Sequence, residues 1–333
     1  MARVSLVCGH DQSGVLWRGP GINECEGEIG KITRMSDGGE TLISAIVPTH
    51  ARLDLLSRTL EAILACQPAP AEILVHVDGG NSELYQEVLL RYPSVRCLFS
   101  EERIGPGGSR NRLIAAARHE WVANFDDDSY PARQDYFRRV AVLARAFPDT
   151  AVFSSSSHVQ DWVSPFIRQV SEFVGSGCVF NKRWFEQTRG FVPLPIAYGM
   201  EEVDVSLQLH CLGGRILHDP YLRVRHEPPL ERDRDEIRIT AAVLANRFLL
   251  PWLRYPPWLW AAGLVHVISQ LRWMLGNERA SAILPGLKMT LSHLREFRSF
   301  RHPVPSGGLL SWLRLRRSGR DVLDGRKLSH WQD

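Results

Sequence analysis

The sequence has few cysteines, and they follow no pattern. Six cysteines are spread through 333 residues, without a CxxC pair and without the spacing of a zinc site. This excludes a disulfide framework and a cysteine-based metal centre as the feature that holds the fold together. We therefore expect the protein in a reducing, cytoplasmic environment.

Long hydrophobic runs are also absent. The most membrane-like stretch lies between Arg254 and Arg272, where 17 consecutive residues carry no charge, and it includes His266, Ser269 and Gln270. A transmembrane helix needs about 20 predominantly apolar residues. We expect a buried or interfacial helix at this position. The first residues lack the apolar segment of a signal peptide, so secretion is not expected.

The chain as a whole has no large charge of one sign, although its C-terminal part is basic. The net charge is +3, with 44% hydrophobic and 23% charged residues, which is an ordinary globular composition. Residues 251–333 contain 13 Lys or Arg and 5 Asp or Glu. No RNA-binding or DNA-reading motif accompanies this basic segment, so we do not expect a nucleic-acid partner.

Short apolar runs alternate with helical periodicity in the first half of the chain. The runs predicted as strands are residues 42–47, 73–77, 95–99 and 121–125. Such alternation predicts right-handed βαβ units and a mostly parallel α/β sheet flanked by helices. Residues 1–40 show no steady periodicity and are predicted to be a poorly ordered N-terminal extension.

Polar segments stand where each predicted strand ends. They are Pro48-Thr49-His50, Asp78-Gly79-Gly80, the segment from Arg103 to Asn111, and Asp126-Asp127-Asp128. Ligands bind parallel sheets beyond the carboxyl ends of the strands. Three adjacent carboxylates repel one another, and a divalent cation with oxygen ligands relieves that repulsion. The sequence therefore indicates a metal and nucleotide site at this edge, with a solvated acidic turn as the alternative.

A glycine-rich segment precedes one of the predicted helices. Residues 103–111 include Gly105, Gly107 and Gly108 and open a helical pattern. Glycines allow the backbone to approach a ligand closely, and a helix N-terminus favours phosphate. The Lys-Ser/Thr pair of a P-loop is missing, and a simple tight turn is the alternative.

The second half of the chain contains another acidic segment. Residues 175–180 are predicted to be a turn that runs into a strand, and residues 199–204 lead into a helix. Glu201, Glu202 and Asp204 fall in the first turn of that helix, where helix capping is the alternative to a catalytic role. Residues 215–217 and 222–226 are predicted to be short edge strands, the second of which ends at His226.

The order of these segments resembles the family 2 glycosyltransferases, which are inverting enzymes of the GT-A fold that use nucleotide-diphosphate sugars. The resemblance covers about residues 41–228. The matching segments are Ile46-Val47-Pro48-Thr49, Val77-Asp78-Gly79, Gly105 through Asn111, Phe125-Asp126-Asp127-Asp128 with Pro131, Gly199 through Asp204, and His226. It implies a GT-A (Rossmann-like) catalytic domain at 41–235, with a nucleotide-binding half at 41–130 and an acceptor half at 131–235. A helical, basic, tryptophan-rich region would follow at 236–333.

The resemblance also implies roles for individual residues. The residues that would contact the nucleotide sugar are Pro48, Thr49, Asp78, Gly105, Arg110, Asp126 and Asp127. Asp128 would bind Mg²⁺ or Mn²⁺ that bridges the two phosphates, with His226 as a further ligand or phosphate contact. A plain surface histidine, or His218 in the place of His226, is the alternative.

Transfer with inversion requires a carboxylate that removes the proton of the acceptor hydroxyl. In the family, the second acid of a Glu-Asp pair has that role, and the matching position here is Glu202. Glutamate therefore stands where aspartate is usual, and the extra methylene moves the carboxylate by about 1 Å or more. Glu201 and Asp204 are the alternative bases. Residues 79–81 also depart from the family pattern, which bears on base selectivity.

The expected function is metal-dependent, inverting transfer of a sugar from a UDP-, GDP- or dTDP-type donor. The acceptor would be a glycan, a lipid-linked molecule or a small molecule. A sugar nucleotidyltransferase is one alternative, although residues 48–52 lack the glycine-rich loop that it needs. A noncatalytic nucleotide-sugar-binding protein is another.

Two interpretations of the C-terminal region remain open. One is peripheral contact with the inner face of a membrane, and the other is packing on the catalytic domain or on a second subunit. The residues concerned are Trp252, Tyr255, Trp258, Trp260, Trp273, Arg314, Arg316 and Arg317. Homo-oligomerisation is not decided by the sequence.

Overall fold

The first half of the chain folds as alternating strands and helices, as its apolar periodicity predicts. The computed structural model describes residues 41–80, 82–156, 166–227, 236–318 and 321–322. The first elements are β1 (Ile43–Thr49), α1 (Leu53–Leu64), β2 (Glu72–Asp78), α2 (Ser82–Leu89), β3 (Val95–Ser100), α3 (Gly105–Ala116) and β4 (Trp121–Asn124). Strand β1 lies between β2 and β4, β3 follows β2, and all three pairings are parallel. Every residue of β1 is buried, as expected for a strand whose two faces are both covered.

The second half adds mixed pairings to this parallel sheet. Its elements are β5 (Ser129–Pro131), α4 (Tyr136–Ala146), β6 (Thr150–Ser156), β7 (Arg168–Gln169), β8 (Cys178–Asn181), α5 (Lys182–Phe185), α6 (Glu201–Cys211) and β9 (Arg215–His226). Strand β8 is antiparallel to both β4 and β6, whereas β6 and β9 are parallel. With β10 (Asp321–Val322), the described strands run in the order β10-β7-β9-β6-β8-β4-β1-β2-β3, and β5 pairs with β9.

Strand β9 corrects one prediction from the sequence. Residues 215–217 and 222–226 are not two edge strands, because β9 is one strand that lies between β6 and β7. Asp219, in the middle of this strand, is buried and pairs with Arg139 at 2.6 Å. His218 is 5% exposed and lies opposite Arg168 within the sheet, so it does not take the place of His226.

The C-terminal part is helical, as predicted. It consists of α7 (Glu236–Arg254), α8 (Trp260–Gly276), α9 (Ile283–Glu296) and α10 (Ser306–Ser318), with short 3₁₀ turns at Pro257–Leu259, Ala280–Ala282 and Arg298–Phe300. Helix α7 contacts both α8 and α9. Gly263 of α8 allows this helix to approach α7 closely, because a Cβ at residue 263 would lie 2.4 Å from the ring of Pro251. In the part of the chain that the structure describes, no helix combines the length and hydropathy of a membrane span.

The C-terminal helices share hydrophobic clusters with α6. Leu207 of α6 packs in one cluster with Tyr255 and Trp312, and Met200, just before α6, packs with Leu249 and Leu253 of α7. The indole nitrogen of Trp312 also donates to the carbonyl of Ser171 at 2.9 Å. These contacts place the N-terminal end of α6, which carries the acidic segment, beside the carboxyl ends of the strands. The domain boundaries at residues 40 and 235 stay predictions.

Candidate active site

The polar segments at the strand ends meet around one cleft of about 630 Å³. The residues of the sequence prediction that line it are Pro48, Thr49, Asp78, Arg110, Asp126, Asp127, Asp128, Glu201, Glu202 and His226. Gly105 and Asp204 do not line it. The edge of the sheet and the first turn of α6 thus form opposite parts of a single pocket.

Asp127 fixes the acidic turn at residues 126–128 through hydrogen bonds from two threonines. Its carboxylate accepts a hydrogen bond from Thr49 Oγ1 at 2.8 Å, its carbonyl accepts one from Thr59 Oγ1 at 2.9 Å, and its side chain has no exposed surface. Burial raises the pKa of Asp127 to about 6, although the nearby charge of Arg52 opposes that rise. Asp127 and Thr49 therefore hold the turn in place.

Arg52 is a member of the site that the sequence analysis missed. Its Nη2 lies 2.6 Å from Asp127 Oδ1, and its Nη1 lies 2.9 Å from Asp128 Oδ2. The side chain is 40% exposed and lines the cleft. The sequence did contain a signal for Arg52, because this residue follows β1 by three positions and so lies at the same sheet edge as the aspartates. The repulsion within the acidic turn is thus relieved in part by guanidinium groups, which the sequence analysis did not consider.

Asp128 and His226 lie side by side because β5 pairs with β9. Ser129 is opposite His226 in that pairing, and Asp128 Oδ1 lies 3.4 Å from His226 Nε2. Burial favours the neutral acid, but the hydrogen bond from His226 and the charge of Arg52 outweigh it and lower the pKa of Asp128.

This pair fits a divalent cation that is shared with a ligand. A carboxylate oxygen and an imidazole nitrogen on one wall are donors that Mn²⁺ accepts. No group of three or more His, Cys, Asp or Glu side chains arranged to hold a metal occurs among the described residues. The remaining ligands would have to come from phosphate and water, which is the usual situation for Mg²⁺ at nucleotide sites.

Arg110 forms a buried bridge between two acidic residues. Its Nη2 lies 2.5 Å from Asp126 Oδ1, its Nη1 lies 2.6 Å from Glu201 Oε1, and the residue is 6% exposed. Burial opposes the charge of Arg110, but the two carboxylates more than offset this and raise its pKa above the ordinary value. Burial also raises the pKa of Glu201, against the charge of Arg110. Glu201 is therefore committed to this ion pair.

The start of the glycine segment is bound by Asp78. Asp78 accepts hydrogen bonds from the amides of Ile104 at 2.7 Å and Gly105 at 2.9 Å, so its carboxylate occupies the N-terminus of α3. Gly105 has a φ of +76°, and a Cβ there would lie 2.2 Å from the carbonyl oxygen of Leu194. The absence of a side chain at Gly105 therefore permits packing against residues 194–195, and Gly105 is not among the residues that line the cleft.

Glu202 differs from the other acidic residues of the cleft in its surroundings. It is partly buried and lines the cleft, and no other side chain among the described residues forms a hydrogen bond or ion pair with it. Burial, followed by the charge of Glu201, raises its pKa to about 7. A Cβ on Gly175 would lie 2.5 Å from Glu202 Oε1, so this glycine leaves room for the carboxylate. A carboxylate with this pKa is suited to accept a proton near neutral pH.

Asp204 is held in a buried ion pair away from the cleft. It is 1% exposed, and both of its oxygens are bound by Arg254, with Nε 2.5 Å from Oδ1 and Nη2 2.9 Å from Oδ2. It lies one turn below Glu201 and on the side of α6 that faces α7. The structure does not bring Asp204 to the cleft, because the C-terminal helices cover that side of α6.

Comparison with known proteins relates part of this chain to a family. The sequence pattern of Glycosyl transferase family 2 matches residues 44–197, which include the strand ends and the acidic turn. This match confirms the resemblance to the family 2 glycosyltransferases. The protein is a glycosyltransferase, and the sugar nucleotidyltransferase and noncatalytic alternatives are not supported.

Relatives of this glycosyltransferase include two bacterial proteins. The succinoglycan biosynthesis protein ExoO of Rhizobium meliloti is 31% identical over 106 residues, which span 31% of this chain and 30% of that protein. The N-acetylglucosaminyl-diphospho-decaprenol L-rhamnosyltransferase of Mycobacterium tuberculosis is 24% identical, over 77% of this chain and 95% of that protein.

A solved structure supports the fold assignment. The mannosyltransferase PcManGT from Pyrobaculum calidifontis, solved with GDP-Man and Mn²⁺, aligns with a TM-score of 0.52 at 16% identity. The alignment covers 87% of this chain and 86% of that one. The predicted GT-A fold is thereby confirmed.

Proposed function

We propose that this glycosyltransferase transfers a sugar from a nucleotide-diphosphate sugar to an acceptor hydroxyl with inversion, and that Glu202 is the base. One observation carries the proposal. Among the described acidic residues of the cleft, four are paired with arginine, and Asp78 is held by backbone amides. Glu202 is left facing the cleft, with a pKa of about 7.

In the proposed reaction, ionised Glu202 accepts the proton of the acceptor hydroxyl. The hydroxyl oxygen then forms a bond to the anomeric carbon, on the face opposite to the departing nucleotide diphosphate. The bond between that carbon and the phosphate oxygen breaks, and the electron pair leaves with the diphosphate. A single displacement of this kind inverts the anomeric configuration.

Asp128 and His226 would hold Mg²⁺ or Mn²⁺ beside the diphosphate. The bound ion would supply positive charge that stabilises the leaving group. The Mn²⁺ in the PcManGT complex supports this assignment. Arg52 would add its partly exposed guanidinium on the same wall, since it already contacts Asp128.

The donor nucleoside would lie along the strand ends. Thr49 and Asp78 would flank the base and ribose, and Asp126 would face the ribose. The side chain of Asp126 is 25% exposed, and only one of its two oxygens is taken by Arg110. Arg110 would act through Asp126, because it is buried beneath that residue.

Donor binding and inversion can be tested on the purified protein. Thermal unfolding with UDP, GDP or dTDP, each with and without Mn²⁺, would identify the nucleotide through the stabilisation that binding confers. Product configuration, read by NMR of the anomeric proton, would test inversion. Retained configuration, or full turnover by a Glu202→Gln variant alongside an exposed Glu186→Gln control, would contradict the proposal.

We further propose a role in glycan biosynthesis with peripheral membrane contact. The names of the ExoO and rhamnosyltransferase relatives support the first part. Three tryptophans support the second, since Trp258, Trp260 and Trp273 are 74%, 40% and 48% exposed. In contrast, Trp312 is fully buried, and Arg316 pairs with Glu172 at 2.8 Å, so α10 packs onto the catalytic domain. Homo-oligomerisation stays a prediction.

A further inference from the structure

A second cavity of about 440 Å³ lies between α7 and α8, next to the cleft. Ile239 of α7 lines both cavities, so they share a wall. Thr240 and Arg247 line the second cavity from α7, and Gln270 and Trp273 line it from α8. The site described above uses none of these residues.

Two polar groups in this second cavity lack partners. Gln270 is 7% exposed, and its side-chain amide has no hydrogen-bond partner in the described ranges. Arg247 Nε is buried and equally without an acceptor there. The nearby carboxylate of Glu172 is paired with Arg316, and its attraction for Arg247 does not offset burial and the charge of Arg316. A buried donor without an acceptor is unfavourable, and a ligand with acceptor oxygens would relieve that cost.

The chemistry of the cavity favours a phosphate group. A guanidinium group binds phosphate oxygens in bidentate fashion, and an amide adds a further donor. Burial and the charge of Arg316 lower the pKa of Arg247, so an anion nearby would stabilise its charged form. Arg247 lies eight positions after Ile239, about 12 Å along the helix axis, which separates such a phosphate from the cleft.

The outer face of α8 is apolar beside the mouth of the cavity. Val265 and Trp273 flank Ser269, one turn away in each direction, and Val265, Ile268 and Trp273 are 64%, 48% and 48% exposed. A helix that is apolar on its outer face normally covers that face with another molecule. An apolar chain attached to the phosphate would lie along this face.

We propose that the second cavity binds the phosphate group of an amphiphilic acceptor, whose apolar chain lies on α8 and whose sugar enters the cleft beside Ile239. This inference rests on the proposed glycosyl transfer, because it names the acceptor class. The acceptor would be a sugar carried on a lipid phosphate or diphosphate.

The test uses the full chain and farnesyl diphosphate as a soluble probe. Binding is measured by calorimetry in EDTA, which removes divalent ions from the cleft. Arg247→Gln and Gln270→Leu should each weaken binding by about tenfold. Arg272→Gln is the matched control, because Arg272 is exposed on α8 outside the cavity, and it should leave binding unchanged.

Several results would overturn the inference. One is an unchanged affinity for farnesyl diphosphate in Arg247→Gln. Another is farnesol binding as tightly as farnesyl diphosphate. The third is pyrophosphate binding as tightly as farnesyl diphosphate, which would indicate a site for free anions only. Nucleotide binding with Mn²⁺ is measured in the same variants. If no nucleotide binds while farnesyl diphosphate does, the proposed function fails and the second site stands, whereas the opposite result removes only the second site.

Discussion

Arg254 binds both carboxylate oxygens of Asp204, and neither side chain is more than 1% exposed. The pair joins α7 to the helix that carries Glu202. Arg254 Nη1 also donates to the carbonyl of Phe300 at 2.8 Å, so one guanidinium links three segments. The C-terminal helices thereby help to position α6.

Breaking this ion pair should strongly destabilise the protein. Asp204→Asn or Arg254→Met leaves an unpaired buried charge, and each should lower the free energy of unfolding by about 3–5 kcal/mol. The double variant Asp204→Leu/Arg254→Met should lose less free energy of unfolding than the two single variants lose together. Urea denaturation measures all three, and single variants within about 1 kcal/mol of the parent would contradict a structural role.

The activity should depend on pH through Glu202. Because its pKa is about 7, kcat/KM should rise as pH increases through 7 and level off above it. Glu202→Gln should bind the donor normally, lose about a hundredfold or more in turnover, and lose this pH dependence. Initial rates from pH 5.5 to 9 test this, and an unchanged profile in the variant would transfer the role to another group.

Glu202 should also lower stability at alkaline pH. The folded state raises its pKa from 4.5 to about 7, so the folded state favours the protonated acid. Its contribution to stability is present below pH 4.5 and is lost as pH rises through 7. Glu202→Gln should therefore melt higher than the parent at pH 8 by about 2 °C or more, and the difference should shrink toward pH 5.

Gly175 should be required for the position of the base. A Cβ at residue 175 would displace Glu202 Oε1, so Gly175→Ala should lower kcat and change the KM of the donor little. Gly276→Ala is the control, because no atom lies within 4 Å of a Cβ there. Equal kcat in the two variants would show that Glu202 tolerates the displacement or is not the base.

Asp128 should be required for metal-dependent donor binding. Asp128→Asn should abolish the Mn²⁺-dependent part of nucleotide affinity. Asp135→Asn serves as the control, because Asp135 pairs with Arg133 near the surface. Calorimetric titration with and without Mn²⁺ measures the effect, and full metal-dependent affinity in Asp128→Asn would remove this residue from the metal site.

Exposed tryptophans should mediate membrane contact. Trp258→Ala should reduce the bound fraction on anionic vesicles without changing the melting temperature, because the side chain is 74% exposed. Leu90→Ala, at an 80% exposed leucine after α2, should have no effect on binding. Vesicle sedimentation measures both variants, and identical binding by Trp258→Ala and the parent would count against membrane contact through this turn.

The sequence by itself determined the strand and helix alternation between residues 41 and 125 and the edge at which the ligand site forms. Period-two and helical patterns are local, and parallel strands necessarily bring their carboxyl ends together. The same reasoning failed at residues 215–226, where a buried Asp219 paired with Arg139 lets one strand continue through polar residues.

Only the tertiary structure decided which acid faces the cleft without an arginine partner. Asp127 meets Arg52 from 75 positions away, and Asp204 meets Arg254 from 50 positions away. Such pairs depend on how helices dock against the sheet, and the acidic segments look alike in the sequence. Arg254 of α7 binds Asp204, and Arg110 binds Glu201. Glu202 is left to face the cleft.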